Sequence, residues 1–157
     1  MKVKEIIFED FVNYKHPSMF IGVCSCDWKC CKENPDCKCQ NASIANYPVI
    51  DIKDSDLIDR YLKDGWTHAV VIGGLEPMLQ FDELEQFISA FRERSNDDVV
   101  IYTGYYPEEV QGKIDRLKRF SNIIVKFGRY KPGKSPHLDA VLGVELANPE
   151  QFAKKIS

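Results

Sequence analysis

Outside one short stretch, this 157-residue chain has no cysteine: Cys24, Cys26, Cys30, Cys31, Cys37 and Cys39 all fall within residues 24–39. A disulfide-stapled secreted scaffold spreads its bridges through the fold to compensate for a small core, so this confinement argues against that class. Long hydrophobic runs are missing too. The longest apolar stretches, 19–24 and 69–74, are six residues each, far below the roughly 20 that span a bilayer. The start, Met1-Lys2-Val3-Lys4-Glu5, lacks the apolar segment of a secretory signal. There is no excess of positive charge: 21 basic against 24 acidic residues give a formal −3, which offers nucleic acid no electrostatic attraction. Disorder is excluded by the 44% hydrophobic content, enough for a sizeable core. The expectation is a cytoplasmic single domain over 1–157 that uses neither nucleic acid nor membrane.

What is present alternates. Apolar runs at 3–8, 19–23 and 49–52 predict strands, and 68–72, 99–103 and 122–127 predict continuous strands covered on both faces. Between them, Leu57, Ile58, Tyr61 and Leu62 follow the N-capping types Asp54-Ser55-Asp56 and precede a stop at Gly65. Leu84, Phe87, Ile88 and Phe91 form a second helical stripe, and Val110, Ile114 and Leu117 a third behind Pro107. Residues 141–144 predict a last strand and Pro149 opens a C-terminal helix; Trp66 is expected in the core. The segment 24–41, with Asn34-Pro35-Asp36 and no periodicity, predicts a loop. Strand–helix alternation defines an α/β domain with a mainly parallel sheet.

Thiolates gathered in a loop select zinc, copper(I) or iron–sulfur clusters. Paired C-x2-C spacings, usual for structural zinc, are absent; the spacings are C-x-C (24/26 and 37/39), C-x3-C (26/30) and an adjacent pair (30/31). Spacing alone leaves both zinc and iron–sulfur open. His16, His68 and His137 are scattered and read as structural. Gly73-Gly74 alone equally describes a tight strand-to-helix turn.

The wording around these residues carries more. Cys26-Asp27-Trp28-Lys29-Cys30, followed by Cys39-Gln40-Asn41, resembles the cluster loop of radical S-adenosylmethionine (SAM) enzymes, normally C-x3-C-x2-C; here the second gap is C-x8-C. Gly73-Gly74-Leu75-Glu76-Pro77 resembles the family's G-G-E-P with Leu75 added. Tyr102-Thr103-Gly104-Tyr105 resembles the Y-T-G-Y of glycyl-radical-enzyme activases. Val125-Lys126-Phe127-Gly128-Arg129-Tyr130 resembles their V-D-G-[KR]-F, without the Asp.

This resemblance implies a partial (β/α) barrel and a [4Fe–4S] cluster on Cys26, Cys30 and Cys39, with Cys24, Cys31 and Cys37 as alternates. It implies SAM bound near Gly73, Gly74, Glu76, Pro77, Thr103, Gly104 and Asn41. The implied activity is reductive cleavage of SAM to a 5′-deoxyadenosyl radical. The implied partners are a large glycyl-radical enzyme, similar to anaerobic ribonucleotide reductase, and a low-potential electron donor. Two alternatives stand beside it: a radical SAM enzyme acting on another peptide or small molecule, and a non-catalytic zinc or iron–sulfur module.

Overall fold

The apolar runs and helical stripes settle into alternating elements in a computed structural model, which describes residues 1–34, 36 and 38–157. In chain order these are β1 (Lys2–Asp10), β2 (Ser18–Val23), α1 (Lys29–Glu33), α2 (Ala42–Ala45), β3 (Ile50–Asp51), α3 (Asp54–Asp64) and β4 (Ala69–Gly74). A 3-10 turn (Pro77–Gln80) leads into α4 (Phe81–Arg92), then β5 (Asp98–Tyr102), a second 3-10 turn (Pro107–Glu109), α5 (Gln111–Leu117) and β6 (Ile123–Phe127). Three short strands close the chain: β7 (His137–Asp139), β8 (Val144–Leu146) and β9 (Phe152–Lys155).

Among the described residues, seven strands form one open sheet in the order β3-β1-β2-β4-β5-β6-β9. Its centre is parallel: β2, β4, β5 and β6 run the same way in continuous register. The outer pairings β1–β2, β1–β3 and β6–β9 are antiparallel. Successive side chains point to opposite faces, and this divides the apolar strands between two cores. Met19, Ile21, Val70, Ile72, Val99, Ile101, Ile123 and Val125 pack against α3, α4 and α5. Phe20, Val71, Val100 and Ile124 pack instead under Tyr14, Leu142 and Leu146. Helices α3, α4 and α5 therefore cover one face, while among the described residues the other carries the 11–16 loop and the separate β7–β8 hairpin, with Cys30 of α1 and Ile44 of α2 reaching the cavity there.

The α4 stripe is buried as its spacing predicts, with Leu84, Phe87, Ile88 and Phe91 all inaccessible. At roughly 1.5–3 kcal/mol per fully buried side chain, packing outweighs any intrinsic helix propensity there. Helix α3 stops at Gly65, whose φ of 70° is the left-handed conformation of a C-cap. Its start differs from expectation: no side chain caps it, because the N-cap position falls on Lys53, whose side chain has no acceptor, while Asp54, one residue inside, accepts from the ammonium of Met1 at 2.8 Å. Leu62 is 39% exposed and Trp66 is 72% exposed, so neither joins the core.

The C-terminal helix expected at Pro149 is a strand. Asn148 Oδ1 accepts from the Glu150 amide at 3.1 Å and its carbonyl accepts from Gln151 N at 3.1 Å, a turn that resembles a helix start in sequence. The chain then pairs along the otherwise open edge of β6, and Lys154 and Lys155 leave a charged strand at the sheet's rim. The strand expected at 141–144 begins only at Val144 and belongs to the hairpin. Within 24–41 the expected loop contains α1, a single helical turn with no buried residue.

Candidate functional site

Parallel strands end on one side of the sheet, which is where α/β folds place their ligands. Here β2 runs on into Cys24, β4 ends at Gly74 and β5 at Tyr102, and the cysteine segment crosses these ends. A cavity of about 610 Å³ opens there on the face opposite α3, α4 and α5. Cys26, Cys30 and Cys39 all line it, together with Asn41, Gly74, Glu76, Thr103 and Gly104.

The remaining sequence-derived positions lie elsewhere. Gly73 sits within the sheet, where an added Cβ would come 3.2 Å from Tyr102 Cβ, and Pro77 is buried in the turn behind. Neither lines the cavity, and nor do Cys24 and Cys31. Cys37, the other alternate ligand, is outside the described residues.

Glu76 organises the strand ends. Its Oε1 accepts from Thr103 Oγ1 at 2.7 Å and Met78 N at 3.0 Å, and its Oε2 accepts from Gly104 N at 2.8 Å. Burial raises its pKa, and these three donors work against that rise. Its own amide donates to Ser25 O at 2.7 Å, which fastens the cysteine segment to the end of β4. Gly104 lies close against the site: a Cβ there would come 3.2 Å from Cys30 Sγ and 3.5 Å from Glu76 Oε2. Gly74, at φ 79°, would put a Cβ 3.0 Å from Gly22 Cα. Asn41 Nδ2 donates to the Gly74 carbonyl at 2.5 Å and ties the far end of the segment to the same strand.

Polar ties, not apolar packing, hold the middle of the segment. Asp27 accepts from Tyr105 Oη at 2.6 Å and from Lys29 N at 3.1 Å. Trp28 adopts φ 59°, and its amide donates to Cys26 Sγ at 3.3 Å. The Arg129 guanidinium, almost fully buried, donates to both Glu109 oxygens at 2.8 and 2.6 Å and stands 2.7 Å from Glu33 on α1. Lys29 pairs with the same Glu109.

Thiol ionisation differs from one cysteine to the next. Burial pushes Cys26 up to about 11, and Glu76 and Asp27 add to the rise. Burial also raises Cys30, but the Tyr130 amide, Lys126 and Arg129 counteract it. Among the described residues no three His, Cys, Asp or Glu side chains are drawn together closely enough to grip a metal as they stand. Cys26, Cys30 and Cys39 share one cavity without forming a cage. Their chemistry fits a thiolate-held iron–sulfur group.

Sequence reasoning missed Lys126 on the wall of this cavity and the charged ties behind it. Lys126 shows only as a lysine inside an otherwise apolar strand, and Arg129 only as part of a motif. Asp27 and Tyr105 meet across 78 residues, which no local pattern reports.

Fold and thiols together describe an α/β protein with a cysteine-lined cavity at the ends of its parallel strands. Residues 17–140, well over half of the chain, match the family of 4Fe-4S single cluster domains, and the protein belongs to that family. No curated protein and no solved structure matches it. Among the described residues no helix is long and apolar enough to cross a membrane.

Proposed function

We propose that this protein is a radical SAM enzyme that generates a glycyl radical on a large partner similar to anaerobic ribonucleotide reductase. The observation that carries the reading is the convergence of Cys26, Cys30 and Cys39 with the tight ends of β4 and β5 on one cavity. Membership of a 4Fe-4S family associated with radical SAM proteins supports it. Helices on one face and a ligand-sized cavity on the other suit a partial (β/α) barrel.

Three thiolates would hold three irons of a [4Fe–4S] cluster and leave the fourth for the amino and carboxylate groups of SAM. The chemistry supplied by the bound group is one-electron reduction of SAM, which splits it into methionine and a 5′-deoxyadenosyl radical. The chain's own work is placement. Gly104 and Gly74 keep Cβ atoms out of the approach, and Asn41 fixes the Gly74 carbonyl. Glu76 has both oxygens engaged by protein donors, so it serves by holding Thr103 and Gly104 in position.

A protein substrate suits the open side of the cavity, which Val12 and Pro136 line, with exposed Phe11 and Leu138 close to them in sequence. A low-potential one-electron donor completes the set of partners. The experiment is anaerobic reconstitution with iron and sulfide, addition of dithionite and SAM, and quantification of 5′-deoxyadenosine. The reading expects product from the native chain and none from Cys26→Ala, Cys30→Ala or Cys39→Ala. A fully loaded cluster that yields no product, alone or with the reductase-like partner, overturns it in favour of a non-catalytic iron–sulfur module.

A further inference from the structure

Lys126 is an anomaly in its strand. Every residue of β6 is buried, and alternation places Lys126 with Ile124 on the face opposite α3, α4 and α5, beside Tyr102 of the neighbouring strand. Its ammonium lies 6.0 Å from the centre of the Tyr102 ring. The residue is 6% exposed and lines the same cavity as Cys30 and Glu76. Among the described residues, its ammonium has one hydrogen-bond acceptor, the Gly128 carbonyl at 2.8 Å. Glu76 and Cys30 act on its charge, but among the described residues no carboxylate bonds it directly, and burying an ammonium without one is costly, so the position suits an anionic group on the cavity side.

The charges around the cavity are unevenly arranged. On the Cys26 side stand the carboxylates of Asp27 and Glu76. Glu76 acts on Cys30 as well, but only there is it joined by cations, Lys126 and Arg129. Arg129 brings little net charge, because it and Lys29 are matched by Glu109 and Glu33, two cations against two anions. Among the described residues Lys126 makes no salt bridge: the Glu76 carboxylate acts on it without bonding it, and Glu5, Asp10 and Glu145 also line the cavity.

We propose that Lys126 is a positioning residue for the cluster: a fixed positive charge on the Cys30 side that raises the cluster's reduction potential. The inference rests on the cluster of the preceding reading. Reduction adds one electron from a low-potential donor, taking [4Fe–4S]²⁺ to [4Fe–4S]⁺, so the reduced form carries one more negative charge. A buried cation stabilises that form more than the oxidised one, and screening by water is weak at this depth. Net charge and burial are among the levers by which a protein sets such potentials. Lysine at this position therefore favours the state able to donate to SAM.

The test is an equilibrium redox titration of the reconstituted protein, without SAM, followed by electron paramagnetic resonance of the reduced cluster and normalised to iron per chain. Lys126→Met removes the charge, and Lys126→Gln removes it while keeping a donor for the Gly128 carbonyl. Lys126→Arg keeps the charge. Both neutral variants are expected to titrate at more negative potential, with the reduced-to-oxidised ratio at a fixed poise falling roughly tenfold. The arginine variant is expected to stay within about threefold of the native ratio. A loaded neutral variant that titrates with the native protein overturns the inference and leaves the proposed function standing. A native chain that takes up no cluster overturns the proposed function and this inference with it.

Discussion

The carboxylate of Glu76 holds the amide of Gly104 at 2.8 Å, and through it the end of β5 is locked to the end of β4. The same side chain accepts the Thr103 hydroxyl at 2.7 Å and the Met78 amide at 3.0 Å. One acidic residue thus shapes both strand ends that face Cys30. That role needs two acceptor oxygens, which no neutral side chain supplies.

Glutamine is consequently a poor substitute for Glu76. It offers one acceptor and turns an NH2 toward either Gly104 N–H or the Thr103–Met78 pair, which leaves buried donors unsatisfied. Glu76→Gln is expected to cost about 1–3 kcal/mol, measured by urea unfolding of the cluster-free protein. A variant as stable as the native chain contradicts this account of the strand ends.

Two glycines should fail in different ways. Gly74 combines a φ of 79° with backbone only 3.0 Å from an added Cβ, so Gly74→Ala is expected to lower stability by about 1–2 kcal/mol or more. Gly104 has no such φ, and the nearest atom to its added Cβ is a thiol sulfur at 3.2 Å. Gly104→Ala is expected to leave the unfolding midpoint of the cluster-free protein within about 0.5 kcal/mol while reducing the iron it retains. Iron content against unfolding, measured on both variants, separates the two effects.

The cysteines sort by the cavity. Cys24 and Cys31 do not line it, so Cys24→Ser and Cys31→Ser are expected to keep near-native iron after reconstitution. Cys26→Ser, Cys30→Ser and Cys39→Ser are expected to lose most of it. Loss of iron from Cys31→Ser with retention in Cys39→Ser would reassign the third ligand.

Acid should release the Arg129 clamp. Side-chain hydrogen bonds from Arg129 hold Glu109 down to about 2, against an ordinary value of about 4.3. Because the folded value lies below the unfolded one, the stabilisation is complete above about pH 4.3 and is lost as pH falls toward 2. The stability gap between the native chain and Glu109→Gln is therefore expected to be constant from neutral pH down to about 5 and to close below about 4.3. Urea unfolding across that range measures it, and a gap unchanged at pH 3 contradicts the clamp.

Much of the frame was legible in the sequence because burial is periodic. Continuous apolar runs marked β2, β4, β5 and β6, and stripes such as Leu84, Phe87, Ile88 and Phe91 marked the helices that cover them. What escaped was decided by tertiary context. Asn148-Pro149 carries the chemistry of a helix start, and only the open edge of β6 makes the following residues a strand. The turn of α1 buries nothing, so it leaves no stripe to read. At the site, the local wording pointed to the cysteine loop and the glycine turns, which are local devices. The Asp27–Tyr105 and Arg129–Glu109 ties join distant segments, and such pairs have no spacing to betray them.

The central claim is a [4Fe–4S] cluster on Cys26, Cys30 and Cys39 with one iron open to SAM. Its most direct test is electron paramagnetic resonance of the reconstituted, reduced protein, recorded before and after SAM is added, with iron and sulfide counted on the same sample. The account predicts about four irons per chain and a reduced-cluster signal whose shape changes when SAM binds. A cluster signal that ignores SAM, or a preparation that holds zinc and takes up no iron, contradicts it.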